Sequence, residues 1–316
     1  MKAAGIDLGG TKIELQLFDC DWQVADRKRV QTPKTYDALV AALVELINWA
    51  DTQARSQLPI GVGAAGLINP TTGIALTANL CATGRPLSRD LALAVGRHVT
   101  YVNDCRALAL SEAVFGAGRG HETVLAMILG TGVGGGISHS GSILAGPTAT
   151  GGEFGHMSAP AHVIAAHGLP IVQCGCGRMG CIETYIAGPG MSRIAQAVMN
   201  AEISPPEIIA QRETNPQAAK VWQIWCELTA ELLCNLTLAI DPNVFVLGGG
   251  LSNIEGVTDA LSEAMKKVQL GGFDVAPIVL AEGGDASGAR GAAYAAFQEQ
   301  TPLDNPAAPI TEAEAS

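Results

Sequence analysis

Four side chains in the middle of the sequence combine soft metal ligands at close spacing. The run Cys174-Gly175-Cys176-Gly177-Arg178-Met179-Gly180-Cys181-Ile182-Glu183 places three thiols within eight residues. Thiolates suit a tetrahedral divalent ion. Upstream, Glu153-Phe154-Gly155-His156 offers an imidazole as a fourth ligand. Three sulfurs and one nitrogen leave no open position, so the ion would be a structural zinc rather than a catalytic one. His162 and His167 also lie before Cys174, and either is an alternative fourth ligand. Buried free thiols are the bland alternative, because cysteine packs well in cores. The interleaved glycines favour a metal knuckle. Such a clip would draw together the acids at its two ends, Glu153 and Glu183.

Asp104 is the candidate for catalysis. It follows a strand pattern and precedes a helical one, beside Asn103. Phosphoryl transfer to a hydroxyl needs positioning, charge neutralisation and a carboxylate that takes the hydroxyl proton. A lone Asp at such a junction is more often a helix cap. Its case rests on company: Asn103, Glu153, His156 and Glu183 are polar groups suited to sugar hydroxyls, each of which wants a donor and an acceptor.

Glycine turns supply the anion chemistry. Asp7-Leu8-Gly9-Gly10-Thr11-Lys12 joins an apolar run to the alternating Ile13, Leu15 and Leu17. Gly130-Thr131-Gly132-Val133-Gly134-Gly135-Gly136 follows the apolar residues Val124 to Leu129 in the same way. A turn without side chains lets backbone N–H groups approach a phosphate. Asp7 could hold a hydrated Mg²⁺, and Thr11 and Lys12 could reach phosphate oxygens. The second turn formally matches Gly-x-Gly-x-x-Gly, with Glu153 placed like a ribose-binding acid, but a strand-like segment follows it and not a helix, which excludes the dinucleotide fingerprint. No Gly-x4-Gly-Lys-[Ser/Thr] occurs, so this is not a P-loop. With Gly248-Gly249-Gly250, the two turns point to a nucleotide phosphate tail held between lobes.

The elements that must position these groups follow from periodicity. Strands are expected at residues 3–8, 13–17, 59–64, 99–102, 124–129, from 137, at 243–247 and near 275–281. Helices are expected at 36–54, with Leu39, Leu43, Leu46, Ile47 and Ala50 on one face, and near 88–97, 105–116, 216–240, 255–268 and 286–299. Residues 66–70 and 79–87 read as loops. Two strand–glycine turn–strand openings suggest a duplicated architecture with a cleft. The first lobe is expected to span 1–117, with the helix near 286–299 packed on it. The second spans 118–285, and residues 301–316 read as a disordered tail.

The bulk numbers agree with such a fold. The chain has 316 residues, 48% of them hydrophobic and 16% charged, enough for one large or two medium domains. A net charge of −11 without a basic stripe argues against nucleic acid as a partner. No apolar run is long enough to predict a membrane span, and no signal peptide is expected. Eight cysteines in this setting read as reduced thiols plus a metal site in a cytoplasmic protein.

With these pieces named, the sequence resembles the ROK family (repressors, open reading frames, kinases) of the actin-like ATPase superfamily. The resemblance runs from Lys2 to about Phe297. It rests on the two glycine turns, Asn103-Asp104, Gly152-Glu153-Phe154-Gly155-His156, the cysteine cluster, and Leu247-Gly248-Gly249-Gly250-Leu251-Ser252-Asn253. It implies an α/β fold of two ribonuclease H-like lobes with an interlobe cleft, ATP and Mg²⁺ in the cleft, and a structural zinc on His156, Cys174, Cys176 and Cys181. It further implies Asp104 as the general base for the sugar 6-hydroxyl. Gly66, Asn79, Asn103, Glu153, His156 and Glu183 would border or hold the sugar. Asp7, Gly9, Gly10, Thr11, Lys12, Gly130, Thr131, Gly132 and Gly134 would serve the phosphates, and Gly248, Gly249 and Gly250 the adenosine. The partners implied are a small-molecule sugar and ATP, and a homodimer is expected. In particular the chain looks like the bacterial N-acetyl-D-glucosamine kinases of this family, with fructokinase or glucokinase as the alternative. Outside the enzymes, a catalytically silent sugar-sensing regulator is a competing reading. A repressor is not expected, since no winged-helix domain fits ahead of Asp7. Two departures bear on substrate choice: Cys105-Arg106 where the family usually has Ala-Asn, and Ala65 where a Pro usually precedes the last Gly of Gly63-Ala64-Ala65-Gly66.

Overall fold

The structure is a computed structural model and describes residues 1–77, 79–284 and 287–300. In chain order the first half forms β1 (Ala3–Leu8), β2 (Lys12–Phe18), β3 (Val24–Gln31), α1 (Tyr36–Ala54), β4 (Ile60–Ala64), β5 (Gly66–Ile68), β6 (Ala75–Thr77), α2 (Leu87–Val95), β7 (Thr100–Asn103) and α3 (Asp104–Phe115). The second half forms β8 (Thr123–Leu129), β9 (Val133–His139), β10 (Ser142–Ile143), α4 (Ala161–Ala166), α5 (Glu183–Ile186), α6 (Gly188–Met199), α7 (Pro205–Gln211), α8 (Pro216–Ile240), β11 (Val244–Gly248), α9 (Val257–Val268), β12 (Ile278–Leu280) and α10 (Ser287–Gln300).

Two sheets share one plan. The first has the order β3-β2-β1-β4-β7 and the second β10-β9-β8-β11-β12. In each, an antiparallel meander opens the lobe, and parallel strands extend it from the meander's first strand. The duplication expected from the two glycine turns is thus a repeated topology. The expected tail from 301 and the expected boundary at 285 lie outside the described residues.

Each sheet has its own core. In the first lobe Leu39, Leu43, Leu46, Ile47 and Ala50 of α1 pack on Ile6, Leu8, Ile13 and Leu15. In the second, Trp225, Leu228 and Leu232 of α8 meet Leu125, Met127 and Leu129, and the Trp225 indole donates to the Ile186 carbonyl at 2.8 Å. Burying one such side chain contributes roughly 1.5–3 kcal/mol, so the apolar periodicity alone dictates these helix–sheet layers.

Three departures from the sequence reading have physical reasons. β3 carries Arg27, Lys28 and Arg29 and is mostly exposed. It is an edge strand, and charge on an edge discourages further pairing, so it lacks the apolar alternation that announces a strand. Residues 66–68, expected as loop, pair with residues 75–77 in a hairpin of three-residue strands, too short for a period to register. β9 begins at Val133, inside the glycine run, and not at Ile137.

The last helix returns to the first sheet. A Cβ on Gly5 would strike the Ala289 carbonyl and one on Gly61 the Ala292 carbonyl, so α10 lies on β1 and β4 at backbone distance. A Cβ on Gly291 would likewise strike the Ala107 carbonyl of α3. The two helices therefore cross backbone to backbone, and α3 is held in place by α10. Overpacking such a contact costs roughly 1–3 kcal/mol. Gly61→Val should lower the melting temperature by the corresponding few degrees, read by thermal unfolding; an unchanged midpoint would mean that the helix does not press on the sheet there.

Candidate active site

The site is built around the β7–α3 junction. The Asn103 side chain caps α3: its Oδ1 accepts from the Cys105 and Arg106 amides at 3.0 and 3.3 Å. Its Nδ2 donates to the Gly66 carbonyl at 3.1 Å, which ties the cap to β5. Asp104 is therefore the first helical residue and not the cap. Asp104 Oδ1 accepts from the Cys105 amide at 2.9 Å. Burial pushes its carboxyl above the ordinary Asp range, against the hydrogen bonds to Cys105.

Asp104 opens onto a cavity of about 510 Å³ between the lobes, lined also by Asp7, Gly248, Gly249, Ser252, Asn253, Ser287 and Gly288. Asp7 arrives from the end of β1 and Gly248 from the end of β11. Ligands of open α/β sheets collect at such carboxyl ends of parallel strands. Gly249 has φ 86° and lies against the Leu129 carbonyl, so a side chain is excluded there on both counts. Gly250 opens a short 3-10 turn, Gly250–Asn253. Ser252 and Asn253 stood in the motif without a role assigned. Ser287 and Gly288 were missed, although the glycines just before α10 were a signal.

The glycine turns differ in what they touch. In the first, the Gly9 amide donates to the Lys12 carbonyl at 3.0 Å, and Thr11 and Lys12 are exposed. Gly10 faces Asn79: a Cβ on Gly10 would lie 2.9 Å from the Asn79 carbonyl oxygen. The structure thus brings the Asn79 loop onto this turn. In the second, Gly130, Thr131 and Gly132 make the turn, closed by Gly130 N–H to the Gly132 carbonyl at 3.0 Å. Gly134, expected with that turn, lies in β9 instead. A Cβ there would approach Cys105 Sγ to 2.7 Å, and one on Gly136 the Arg106 Cα to 2.7 Å. These glycines are small because α3 packs against them.

A polar relay joins the second turn to the cysteines. Glu183 Oε2 accepts from the Val133 amide at 2.8 Å, and its Oε1 lies 3.6 Å from Cys174 Sγ. Cys174 Sγ is 3.6 Å from His156 Nδ1, and His156 Nε2 is 3.9 Å from Glu153 Oε2. Burial pushes the Glu153 carboxyl up, the charges of Asp104 and Glu183 add to that, and Arg106 and His156 oppose it. Asp104, Glu153, His156 and Glu183 thus form one neighbourhood.

His156, Cys174, Cys176 and Cys181 place their ligand atoms within 4.8 Å of one another. Cys176 and Cys181 Sγ are 3.6 Å apart, close to the sulfur–sulfur edge of about 3.8 Å that a tetrahedron with Zn–S bonds near 2.3 Å requires. The donor set fits a divalent ion. His162 and His167 turn elsewhere, to Glu231 and Glu227 of α8 at 3.1 and 2.8 Å. The geometry favours His156 over both. Arg178 braces the knuckle, donating to the His156 carbonyl at 2.8 Å.

Comparison with known proteins then decides the family. The model of the ROK family matches residues 3–299. The chain belongs to the ROK family. It is 41% identical to the N-acetylgalactosamine kinase AgaK of Shewanella sp. (strain ANA-3), over 92% of this chain and 94% of that one. It is 38% identical to an N-acetyl-D-glucosamine kinase of Escherichia coli, over 92% of this chain and 97% of that one. Among solved structures it resembles a ROK hexokinase from Thermus thermophilus, with a TM-score of 0.84, 34% identity, and coverage of 95% of this chain and 99% of that one.

Arg106 follows Asp104 by two residues in the Asn103-Asp104-Cys105-Arg106 run. It is buried. Its Nε donates to the Gly151 carbonyl at 2.9 Å and its Nη2 to the Ala149 carbonyl at 2.7 Å. A charge in the first turn of α3 thus fixes the segment that delivers Glu153. Arg106 also lines a second cavity of about 350 Å³, with Gly66, Asn103, Ala145 and Ala149. Losing one charge-assisted bond of this kind is worth roughly tenfold or more in local opening. Arg106→Ala should speed amide hydrogen exchange over residues 149–153 by at least that factor, while α1 is unaffected; unchanged protection would deny the anchor.

Proposed function

We propose that the chain is an ATP-dependent sugar kinase that phosphorylates the 6-hydroxyl of an N-acetylhexosamine, with Asp104 as general base. One observation carries the reading: Asp104, half-buried and with a raised pKa, lines the same cavity as Asp7 and the Gly248-Gly249 turn. The proposed base and the proposed phosphate site therefore share one space. The kinase names of relatives at 38–41% identity over most of both chains support it.

The chemistry follows from the residues. The Asp104 carboxylate accepts the proton of the sugar 6-hydroxyl as its oxygen attacks the γ-phosphorus, and ADP leaves. Raising the carboxyl pKa by burial makes it a stronger acceptor at neutral pH. Asn103, Glu153, His156 and Glu183 hold the ring hydroxyls, with the Gly66 and Asn79 loops at the rim. The backbone amides around Gly9, Gly10, Thr11 and Lys12 and around Gly130, Thr131 and Gly132 serve the phosphates, and Gly248 to Gly250 the adenosine. Asp7 would hold Mg²⁺, which neutralises phosphate charge when bound. The substrate proposed first is N-acetyl-D-glucosamine. Its C4 epimer is favoured by the Shewanella relative, and fructose or glucose is the alternative.

Zinc is proposed on His156, Cys174, Cys176 and Cys181. Bound there, it would fix the turn that carries Glu153 and the helix that carries Glu183. Burial pushes the Cys174 thiol up to about 12, so a cation is what would keep it a thiolate. Metal analysis of the purified protein should find one zinc per chain. His156→Ala should lose it and His162→Ala keep it, with Cys176→Ser both melting lower and losing activity; a folded parent without zinc sinks the assignment.

Asp104→Asn tests the base. Its kcat should fall roughly 10²- to 10⁴-fold. The raised pKa adds a sign to the stability. A carboxyl that is harder to ionise when folded costs stability as pH rises from its unfolded to its folded pKa, and the cost is complete above both. At neutral pH the Asn variant should therefore melt no lower than the parent. ADP release near parent levels would remove Asp104 from the mechanism.

A further inference from the structure

We propose that Glu112 is a positioning residue that locks the nucleotide-cavity wall to the helix carrying Asp104. The proposal rests on the reading of that cavity as the ATP site.

Glu112 lies in α3, two turns beyond Asp104, about 12 Å along the axis at 1.5 Å per residue. It is fully buried. Its Oε1 accepts from the Gly283 amide at 2.8 Å and the Ser287 hydroxyl at 2.6 Å. Its Oε2 accepts from the Glu282 amide at 3.0 Å and the Ala117 amide at 3.1 Å. Arg290 brings the opposite charge to the same pocket, and its Nε donates to Ser111 Oγ at 3.0 Å. A buried carboxylate is costly unless its oxygens are satisfied and its charge balanced. Here both conditions are met, by donors from α3's own exit and from the approach to α10.

The partners place this carboxylate in the site's framework. Ala281, Gly284, Ser287 and Gly288 line the interlobe cavity together with Asp7 and Asp104. Glu112 reaches that wall at residues 282, 283 and 287, while its own helix begins with the base. The fit is tight: a Cβ on Gly283 would lie 2.7 Å from Glu112 Oε1, and one on Gly116 would overlap Oε2. One rigid helix therefore sets the base at its start and, through Glu112, the cavity wall two turns later. A residue serving stability alone would not tie these two parts of one site together.

Glutamine cannot replace it. Each carboxylate oxygen accepts two donors, so whichever becomes NH₂ meets two N–H or O–H groups. In full-length Glu112→Gln, the KM for ATP should rise roughly tenfold, the loss expected for one charge-assisted hydrogen bond, while the KM for the sugar stays within about twofold. Gly116→Ala, outside the cavity, should reproduce the ATP effect by displacing Oε2. In the parent protein, exchange of the Glu282 and Gly283 amides should slow with a non-hydrolysable ATP analogue and not with sugar alone. An unchanged KM for ATP in a variant that merely melts lower, or both KM values rising together, overturns the role. So does parent protection at these amides that is indifferent to the analogue while it binds. An analogue that does not bind the parent at all overturns the nucleotide reading itself, and this inference with it.

Discussion

The structure depends on how closely the first turn of α3 lies against β9. Cys105 Sγ occupies the space where Gly134 would carry a Cβ, and the Arg106 backbone does the same at Gly136. This contact joins the lobes where the chemistry is proposed. It sets Asp104 at the cavity mouth, lets Arg106 reach the Ala149 and Gly151 carbonyls, and so fixes the approach to Glu153. On its other side α3 meets α10 at Gly291, and α10 rests on Gly5 and Gly61. Glycines are spread through these contacts because the elements come closer there than a Cβ would allow.

The acids of the site are held against their solvation preference. Asp104 and Glu153 are both pushed above the usual carboxylate range by burial. Elsewhere the fold supplies buried carboxylates with full sets of donors, as at Glu112. On one helix, then, Asp104 lines the cavity while Glu112 is held by four donors. Glu183 accepts from the second glycine turn and also stands beside Cys174, so the cysteine knuckle and that turn share a side chain.

Much of this was legible in the sequence. The α1 and α8 stripes, the strands before each glycine turn and the Cys-x-Cys-x4-Cys spacing carry local signals of period or ligand chemistry. The place of Asp104 at the junction of a strand and a helix, beside Asn103, was legible too. What was not legible depends on distant partners. β3 is a charged edge with no apolar period, and the hairpin at residues 66–77 is too short to show one. Gly134 reads as a phosphate-turn glycine until Cys105 is seen against it. Arg106 reads as an intrusion near the sugar until its two carbonyl partners, more than forty positions away, are in view. Glu112 had no signal at all, because its partners lie 170 to 175 positions downstream, apart from its own exit turn.

The most direct test of the account is ADP release by the purified parent protein with ATP and Mg²⁺ across N-acetylglucosamine, N-acetylgalactosamine, N-acetylmannosamine, glucose and fructose, with the phosphorylated carbon located by NMR. The account predicts turnover that favours an N-acetylhexosamine, with phosphate on its 6-oxygen. Binding of sugar and nucleotide without turnover, or phosphate on another oxygen, would contradict it.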